Sequence, residues 1–534
     1  GPPRPPRCTR GGRSSFQSQM SQNIDSLLER AEHLAAQRDF SQARQALHAA
    51  QTLAPGDARA PLQLSYVESL DGHYRAAREA ALRAHALKPR GEATLQELVR
   101  RLRTFNETGA LRECMQRLPP LREVGIPLLL GFAAQLSYLN RQEDALALLD
   151  EARRGDPDYP PTLVSRGQVL TYLGRFDEAE ADLMRCLRRA PELAAAWWSL
   201  SRLRKQTPES NHVDAIRAQL SRPGRRAEDV ALLAFALHKE FDDLGDAAAA
   251  WQALELGCRA KRSTLQYSAS QTAALVDALI AAPTSPAASP HADGPTPIFI
   301  VGMHRSGTTL LEQMLAGHRD VAALGELYDF TSSMRNATDR HCRGVIDAAV
   351  VERAAHIDFA GVGRGYLDGV AWRLDGRAAF VDKLPTNFFH VGHICRALPQ
   401  AKILHMRRDP METCFSNLRE LFSDANPHSY GQHELADYHM HYQRLMAHWR
   451  ARFADRVLDV DYAGLTADPE ATMRRIAAFC GLDFTPAMLD PRGDGRGVAT
   501  ASAVQVREGV RARAEPKWRR YAQWLEPLRT ALQT

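Results

Sequence analysis

Residues 298–315 constrain the fold more tightly than any other part of the chain. Ile298, Phe299, Ile300 and Val301 form a β-branched and aromatic run, Gly302 to Gly307 interrupts it, and Leu310, Leu311, Met314 and Leu315 then recur at helical spacing. The pattern predicts a strand, a glycine turn and a helix N-terminus opening at Thr308. Such a turn gathers backbone N–H groups and the positive end of a helix dipole at one spot, and Arg305, Ser306, Thr308 and Thr309 add a charge and hydroxyls there. The stretch reads as a cradle for a phosphate-like anion. The plainer alternative is a glycine turn joining an ordinary βα unit.

The spacing of Gly302 and Gly307 is that of a nucleoside-triphosphate loop, but Thr308 stands where the lysine that reaches the β- and γ-phosphates belongs. That substitution argues against ATP or GTP and for a smaller 5′-phosphate donor, with Arg305 supplying charge from inside the loop. Glu326 follows 21 residues after Arg305, and a helix of about 15 residues with a short return strand would bring it back to the loop. A carboxylate beside an anion site needs a task, and taking a proton from an acceptor hydroxyl is one; a surface glutamate at a strand end is the alternative. Further on, Phe380 and Val381 read as a strand end before Lys383, and Lys402 to Met406 as another strand that delivers Arg408 at its carboxyl end. Ser416 lies on the helix expected from Pro410, and together with Arg408 it can grip a second phosphate.

The first half carries a different signal, a 34-residue period. Phe40 and Tyr74, Ala43 and Ala77, Pro55 and Pro89 are each 34 apart, and Leu139 and Leu173, Ala145 and Ala179, Pro157 and Pro191 repeat the step. This resembles the tetratricopeptide pattern of small residue, aromatic and helix-ending proline. The matches are weaker over residues 91–125 and 192–225, and a further helix pair is expected over Ala231 to Cys258. Such an array offers either a concave surface for an extended peptide or a rigid support that shapes or dimerises the second domain. Tyr66, Tyr138, Tyr172, Trp197 and Trp198 are candidate groove residues, although aromatics at helical spacing more often belong to the core. Residues 281–296 then turn rich in proline, serine and alanine, which marks a linker between an array over 21–280 and a second domain over 297–534. Residues 1–20 are expected to be disordered.

Across 534 residues, 68 Lys and Arg nearly balance 63 Asp and Glu, and a net charge of +5 neither demands nor excludes nucleic acid. No nucleic-acid partner is expected. Eight cysteines are scattered without pairs at metal-ligand spacing, which points to a reducing, cytoplasmic setting and no structural zinc. No apolar run is long enough to span a bilayer.

The strand and Arg305–Thr309 loop, the Lys383 segment and the Arg408–Ser416 block together resemble the sulfotransferases that use 3′-phosphoadenosine 5′-phosphosulfate (PAPS). The resemblance extends to the protein-tyrosine branch and to bacterial proteins that join tetratricopeptide repeats to such a domain. It implies a helical solenoid followed by an α/β, P-loop-like domain with a mainly parallel sheet. By the same resemblance Arg305, Ser306, Gly307, Thr308 and Thr309 hold the 5′-phosphosulfate, and Arg408 and Ser416 the 3′-phosphate. Glu326 is implied as general base, Lys383 as the group that protonates or stabilises the leaving phosphate, and Ser502 as an assistant to the sulfuryl group. Tyr462, Lys517 and Trp518 match late donor-side positions. His304 departs from the proline common before the loop arginine. PAPS as donor, 3′-phosphoadenosine 5′-phosphate (PAP) as product and no metal are expected. The acceptor is expected to be a peptide or protein tyrosine; a glycan, a lipid-linked sugar or a phenolic metabolite remains open, as does an inert peptide-binding scaffold. The oligomeric state is open too, with a homodimer as one option.

Overall fold

The computed structural model describes residues 12–283, 294–342, 344–491 and 515–533, with side chains from residue 23 onward. The chain forms two compact units, one of residues up to Phe132 with Asp339–Cys342, the other of Ala133–Thr338 and Arg343–Thr534.

In the first unit, helices Phe40–Leu53, Arg59–Leu70 and Tyr74–Ala86 follow one another, and the weaker stretch continues as Glu92–Thr104 and Thr108–Gln116. Ala43 and Ala77 are fully buried, since only a small side chain lets paired helices approach. Tyr74 meets Phe105 edge-on at 5.2 Å. Asp39 starts its helix by accepting the Gln42 N–H at 3.1 Å. The first helix, Gly12–Ala36, begins inside the stretch expected to be disordered; beyond Gly12 that segment contains no proline or glycine to break it.

The second unit opens with the rest of the array. Helices Gln142–Gly155, Pro160–Leu173 and Phe176–Arg189 bury Ala145 and Ala179 completely, and the weaker stretch forms Ala194–Leu203 and Val213–Leu220. Ala227–Leu244 and Ala247–Ser263 form the later pair, drawn together at Gly257, where a Cβ would lie 2.7 Å from the Phe235 ring. Composition places a boundary in residues 281–296, and the helix before it spans Ala269–Ala281. The compact units nevertheless divide at 132/133, because buried polar contacts tie the later repeats to the α/β half. Asp242 accepts hydrogen bonds from Arg419 at 2.5 Å and from Arg520 and Tyr521 at 2.6 Å each.

Five strands, β1 (Thr296–Gly302), β2 (Val321–Ala323), β3 (Ala379–Asp382), β4 (Lys402–Arg407) and β5 (Val457–Asp461), make an all-parallel sheet in the order β2-β3-β1-β4-β5. Both faces of β1 are covered, as its unbroken apolar run requires. Ile298 and Ile300 pack with Leu311, Met314 and Leu404, while Phe299 stacks on Tyr366 at 5.6 Å. Register sets Gly302 beside Met406 and Phe299 beside Asp382, so the residues after β1, β3 and β4 emerge together. The chain reverses its direction of travel across the sheet between β1 and β4, the place where parallel sheets form ligand crevices.

Candidate active site

The loop after β1 depends on two glycines with left-handed backbone. Gly302 has φ 152°, and a Cβ there would come within 2.7 Å of the Met406 carbonyl oxygen; Gly307 has φ 107° and lies under the Tyr462 ring, 2.5 Å from where its Cβ would stand. Arg305 also takes a left-handed conformation, φ 67°, uncommon for a residue with a side chain. That turn folds its guanidinium inward. Nε donates to the Ser416 hydroxyl at 3.2 Å, and Glu420 stands 3.7 Å from Nη1. Burial works against the arginine's charge, and Glu420 offsets it. The Ser306 hydroxyl donates to the Met303 carbonyl at 2.7 Å and so closes the loop upon itself. Thr308 and Thr309 are buried at the start of the Thr308–Leu315 helix.

Arg408, just past β4, donates to the Arg305 carbonyl at 3.2 Å and pairs with Glu412. Its guanidinium lies 4.5 Å from the centre of the Tyr462 ring. Ser416 is carried by the Pro410–Leu418 helix, which Asp409 caps by accepting the Glu412 N–H at 2.9 Å. Arg305, Arg408, Ser416 and Tyr462 thus form one cluster. Lys517 and Trp518 open a 3₁₀ turn, Lys517–Tyr521, set against the same helix through Tyr521 and Phe415, 5.0 Å apart. Ser502 lies outside the described residues.

On the other side of the loop, Glu326 and Lys383 meet. Lys383 is fully buried, and its Nζ donates to Glu326 Oε1 at 2.7 Å. The route differs from the one expected, because the helix after the loop is eight residues long. Gly317 follows it with no room for a side chain, a Cβ there falling 2.2 Å from the Ala487 carbonyl oxygen. A three-residue β2 then leads to Gly325 (φ 77°), and Gly325 donates its N–H to Glu312 Oε1 at 2.9 Å. Glu312 also stands 4.0 Å from Lys383 Nζ. Burial alone would lower the Lys383 pKa, but Glu326 and Glu312 outweigh it and hold the amine protonated above the ordinary lysine range. Glu312 moves the other way to most paired carboxyls: burial raises it despite Lys383.

Several contributors escaped sequence reasoning. Glu312 sits in the helix among apolar neighbours, and its only sequence signal is a charge on an otherwise buried face. Glu420 bridges Arg305 to Arg202 of the array, 3.1 Å away. His304 is held by its carbonyl, which accepts from Asn417 at 2.7 Å, and by its ring against Phe422 at 5.3 Å; burial pushes that ring down to about 4, so it is neutral near pH 7. Of the candidate groove aromatics, Tyr138 and Tyr172 line a cavity of about 450 Å³ that reaches Glu326, whereas Trp197 is buried and Tyr66 covers Arg101.

Residues 297–486 match the model of the Sulfotransferase family. This stretch is a sulfotransferase domain. The glycine loop, Lys383 and the Arg408–Ser416 block all fall inside the matched residues. The chain is 29% identical over 412 residues to an uncharacterized protein of Aquifex aeolicus, covering 74% of this chain. It spans about half, 53%, of that relative's length. Among solved structures, the sulfotransferase domain of the Synechococcus PCC 7002 olefin synthase is 20% identical, covering 45% of this chain and 98% of its own at a TM-score of 0.28. The tetratricopeptide-repeat protein YrrB, described as having an unusual peptide-binding site, is 15% identical over 44% of this chain and 98% of its own at a TM-score of 0.22.

Proposed function

We propose that the protein transfers the sulfuryl group of PAPS to an acceptor hydroxyl, that of a tyrosine in a peptide or protein, with the repeats contributing to acceptor binding. A phosphosulfate suits the loop: its two glycines let the backbone turn tightly against Met406 and Tyr462 ahead of the Thr308–Leu315 helix, and a buried arginine lies within it. Arg305 to Thr309 are assigned to the 5′ side and Arg408, Ser416 and Tyr462 to the 3′-phosphate, with Lys517 and Trp518 beside them. Ser502 keeps only the role implied by resemblance. Bound PAPS supplies the sulfuryl group.

Glu326 takes the proton of the attacking hydroxyl as its oxygen bonds to sulfur. Lys383 places its charge and proton at the oxygen of the leaving phosphate as the bridging S–O bond breaks. Positioning and preorganised positive charge supply most of the rate in such in-line transfers. The observation that carries the reading is the 2.7 Å contact between a buried lysine and a glutamate that opens to a cavity lined in part by the helix following the anion loop. Titration with PAP tests the donor half: no binding, or binding indifferent to Arg408→Ala, would sink it. Transfer of labelled sulfate from PAPS to tyrosine peptides, with phenylalanine controls, tests the acceptor. Labelling of a glycan but of no peptide would overturn the tyrosine assignment.

A further inference from the structure

A buried polar chain runs from the edge of the sheet to the root of the anion loop. His405 of β4 lies opposite Asp459 of β5 in register, and opposite Val301 of β1 on its other side. It projects from the face opposite to that of Leu404 and Met406, where the Gln432–Arg452 helix brings Tyr442 to it. His405 Nδ1 is 2.7 Å from Asp459 Oδ1, and Nε2 is 2.5 Å from the Tyr442 hydroxyl. Both His405 and Tyr442 are buried. The Tyr442 oxygen in turn receives the backbone N–H of Met303, the residue that follows Gly302.

Each hydrogen in this chain has one place to go. Asp459 also accepts from Arg450 at 2.7 Å and from Arg407 at 3.2 Å. Burial works against its charge, yet His405 and Arg450 hold the carboxyl at about 2, so it can only accept. The imidazole proton therefore sits on Nδ1, and Nε2 is left to accept the Tyr442 hydroxyl. Burial pushes His405 below its ordinary value, which keeps the ring in that neutral form, and raises the Tyr442 phenol, which keeps its proton. Hydroxyl, imidazole and carboxylate in this order are the parts of a nucleophile triad. Here the hydroxyl is enclosed between Nε2 and a backbone N–H, so the chain holds a position.

What it holds is Met303. The Met303 carbonyl accepts from the Ser306 N–H at 3.3 Å and from the Ser306 hydroxyl at 2.7 Å, so the residue is fixed on both sides of its Cα. The next two carbonyls, of His304 and Arg305, accept from Asn417 at 2.7 Å and from Arg408 at 3.2 Å. Resting on the donor reading above, we propose that Asp459, His405 and Tyr442 are positioning residues for the donor's 5′-phosphate: the chain fixes the Met303 N–H and with it the path of the turn from Met303 to Thr309 that the phosphate meets.

The test titrates the full chain with PAP and, in competition with it, with adenosine 3′-phosphate, which lacks the 5′ group. Tyr442→Phe removes only the hydroxyl and takes the acceptor from the Met303 N–H. Its Kd for PAP is expected to rise about tenfold, while that for adenosine 3′-phosphate stays within about twofold. Asp459→Asn breaks the chain from its partly exposed end, and so reads it even if Tyr442→Phe does not fold. The amide can donate to Nδ1, which turns the imidazole to its other tautomer and removes the acceptor of the Tyr442 proton. A similar rise is expected, and the double variant should lose no more than the larger single effect, since either substitution breaks the same chain. Equal losses for the two nucleotides, additive effects of the two substitutions, or a lowered unfolding midpoint in urea with PAP affinity unchanged would reduce the chain to a support of the sheet and overturn the proposal. Failure of the parent protein to bind PAP would instead defeat the donor assignment on which it rests, and the first titration reports that outcome by itself.

Discussion

Lys383 holds its charge in a place where burial alone would remove it. The pair with Glu326 at 2.7 Å and the second carboxyl of Glu312 at 4.0 Å reverse the effect of burial, so the amine is protonated through neutral pH. Because the folded pKa is raised, the associated stability is complete below the ordinary lysine value and is lost as pH rises through the higher folded value. Replacing Glu326 by Gln should lower kcat by about 10²-fold or more while PAP affinity holds, measured by sulfate transfer and titration side by side. Glu312→Gln makes a finer distinction. Glutamine can still accept the Gly325 N–H, but it withdraws one negative charge from Lys383, so the alkaline limb of the kcat/KM profile should move to lower pH. An unmoved limb would mean that Glu312 serves only to hold the turn. Glu326 was legible because its distance from the loop arginine is a local property of the chain. Glu312 and Glu420 were not, because each takes its meaning from a partner brought near by packing: Lys383 is 71 residues on from Glu312, and Arg305 is 115 before Glu420.

The strand, loop and helix at 296–315 are the part of the fold most readable from residue types, since glycine positions, β-branched runs and helical spacing act within a few residues. Lengths were less readable. The helix ends at Leu315 because Gly317 must pass against the Ala487 carbonyl, a contact between segments 170 residues apart. The two loop glycines should respond differently to substitution. Gly302→Ala sets a Cβ 2.7 Å from a backbone oxygen of β4 that cannot swing away, whereas Gly307→Ala meets the side chain of Tyr462. Both carry φ values that strain an L residue, a cost of about 1–3 kcal/mol each. Gly302→Ala is therefore expected to lower the unfolding midpoint in urea more than Gly307→Ala. Gly307→Ala should instead weaken PAP binding by displacing Tyr462 and, with it, the ring beneath Arg408. Equal midpoints in the two variants would argue that the sheet end yields at Met406.

At the scale of the chain, composition and contact disagree about where one body ends. The proline-rich change near residue 285 separates two sequence styles, repeat and α/β, but the compact unit that holds the sulfotransferase domain begins at Ala133. Asp242 explains why. Burial opposes its charge, yet Arg419 and the Tyr521 hydroxyl outweigh it and hold the carboxyl well below the usual range. A depressed pKa contributes stability that is present above the ordinary aspartate value, about 4, and is lost as pH falls through the folded one. Asp242→Asn leaves Arg419 and Arg520 without their shared anion, so it should cost about 3–5 kcal/mol at neutral pH and flatten the acid side of the stability profile. Two fragments separate the repeats' contribution from that of the sulfotransferase domain. Residues 286–534 keep the whole family match but lose Asp242 and Arg202, exposing Arg419, Arg520 and the apolar surface that faced helices Ala227–Leu244 and Ala247–Ser263. Residues 121–534 retain them, and begin before the Ile126–Tyr138 helix so that no element is cut. Calorimetry should show one cooperative transition for the longer fragment together with retained PAP binding. The shorter one should melt without a cooperative transition or fail to stay in solution. Equal melting temperatures for the two would show that the later repeats are attached to the sulfotransferase domain without supporting it.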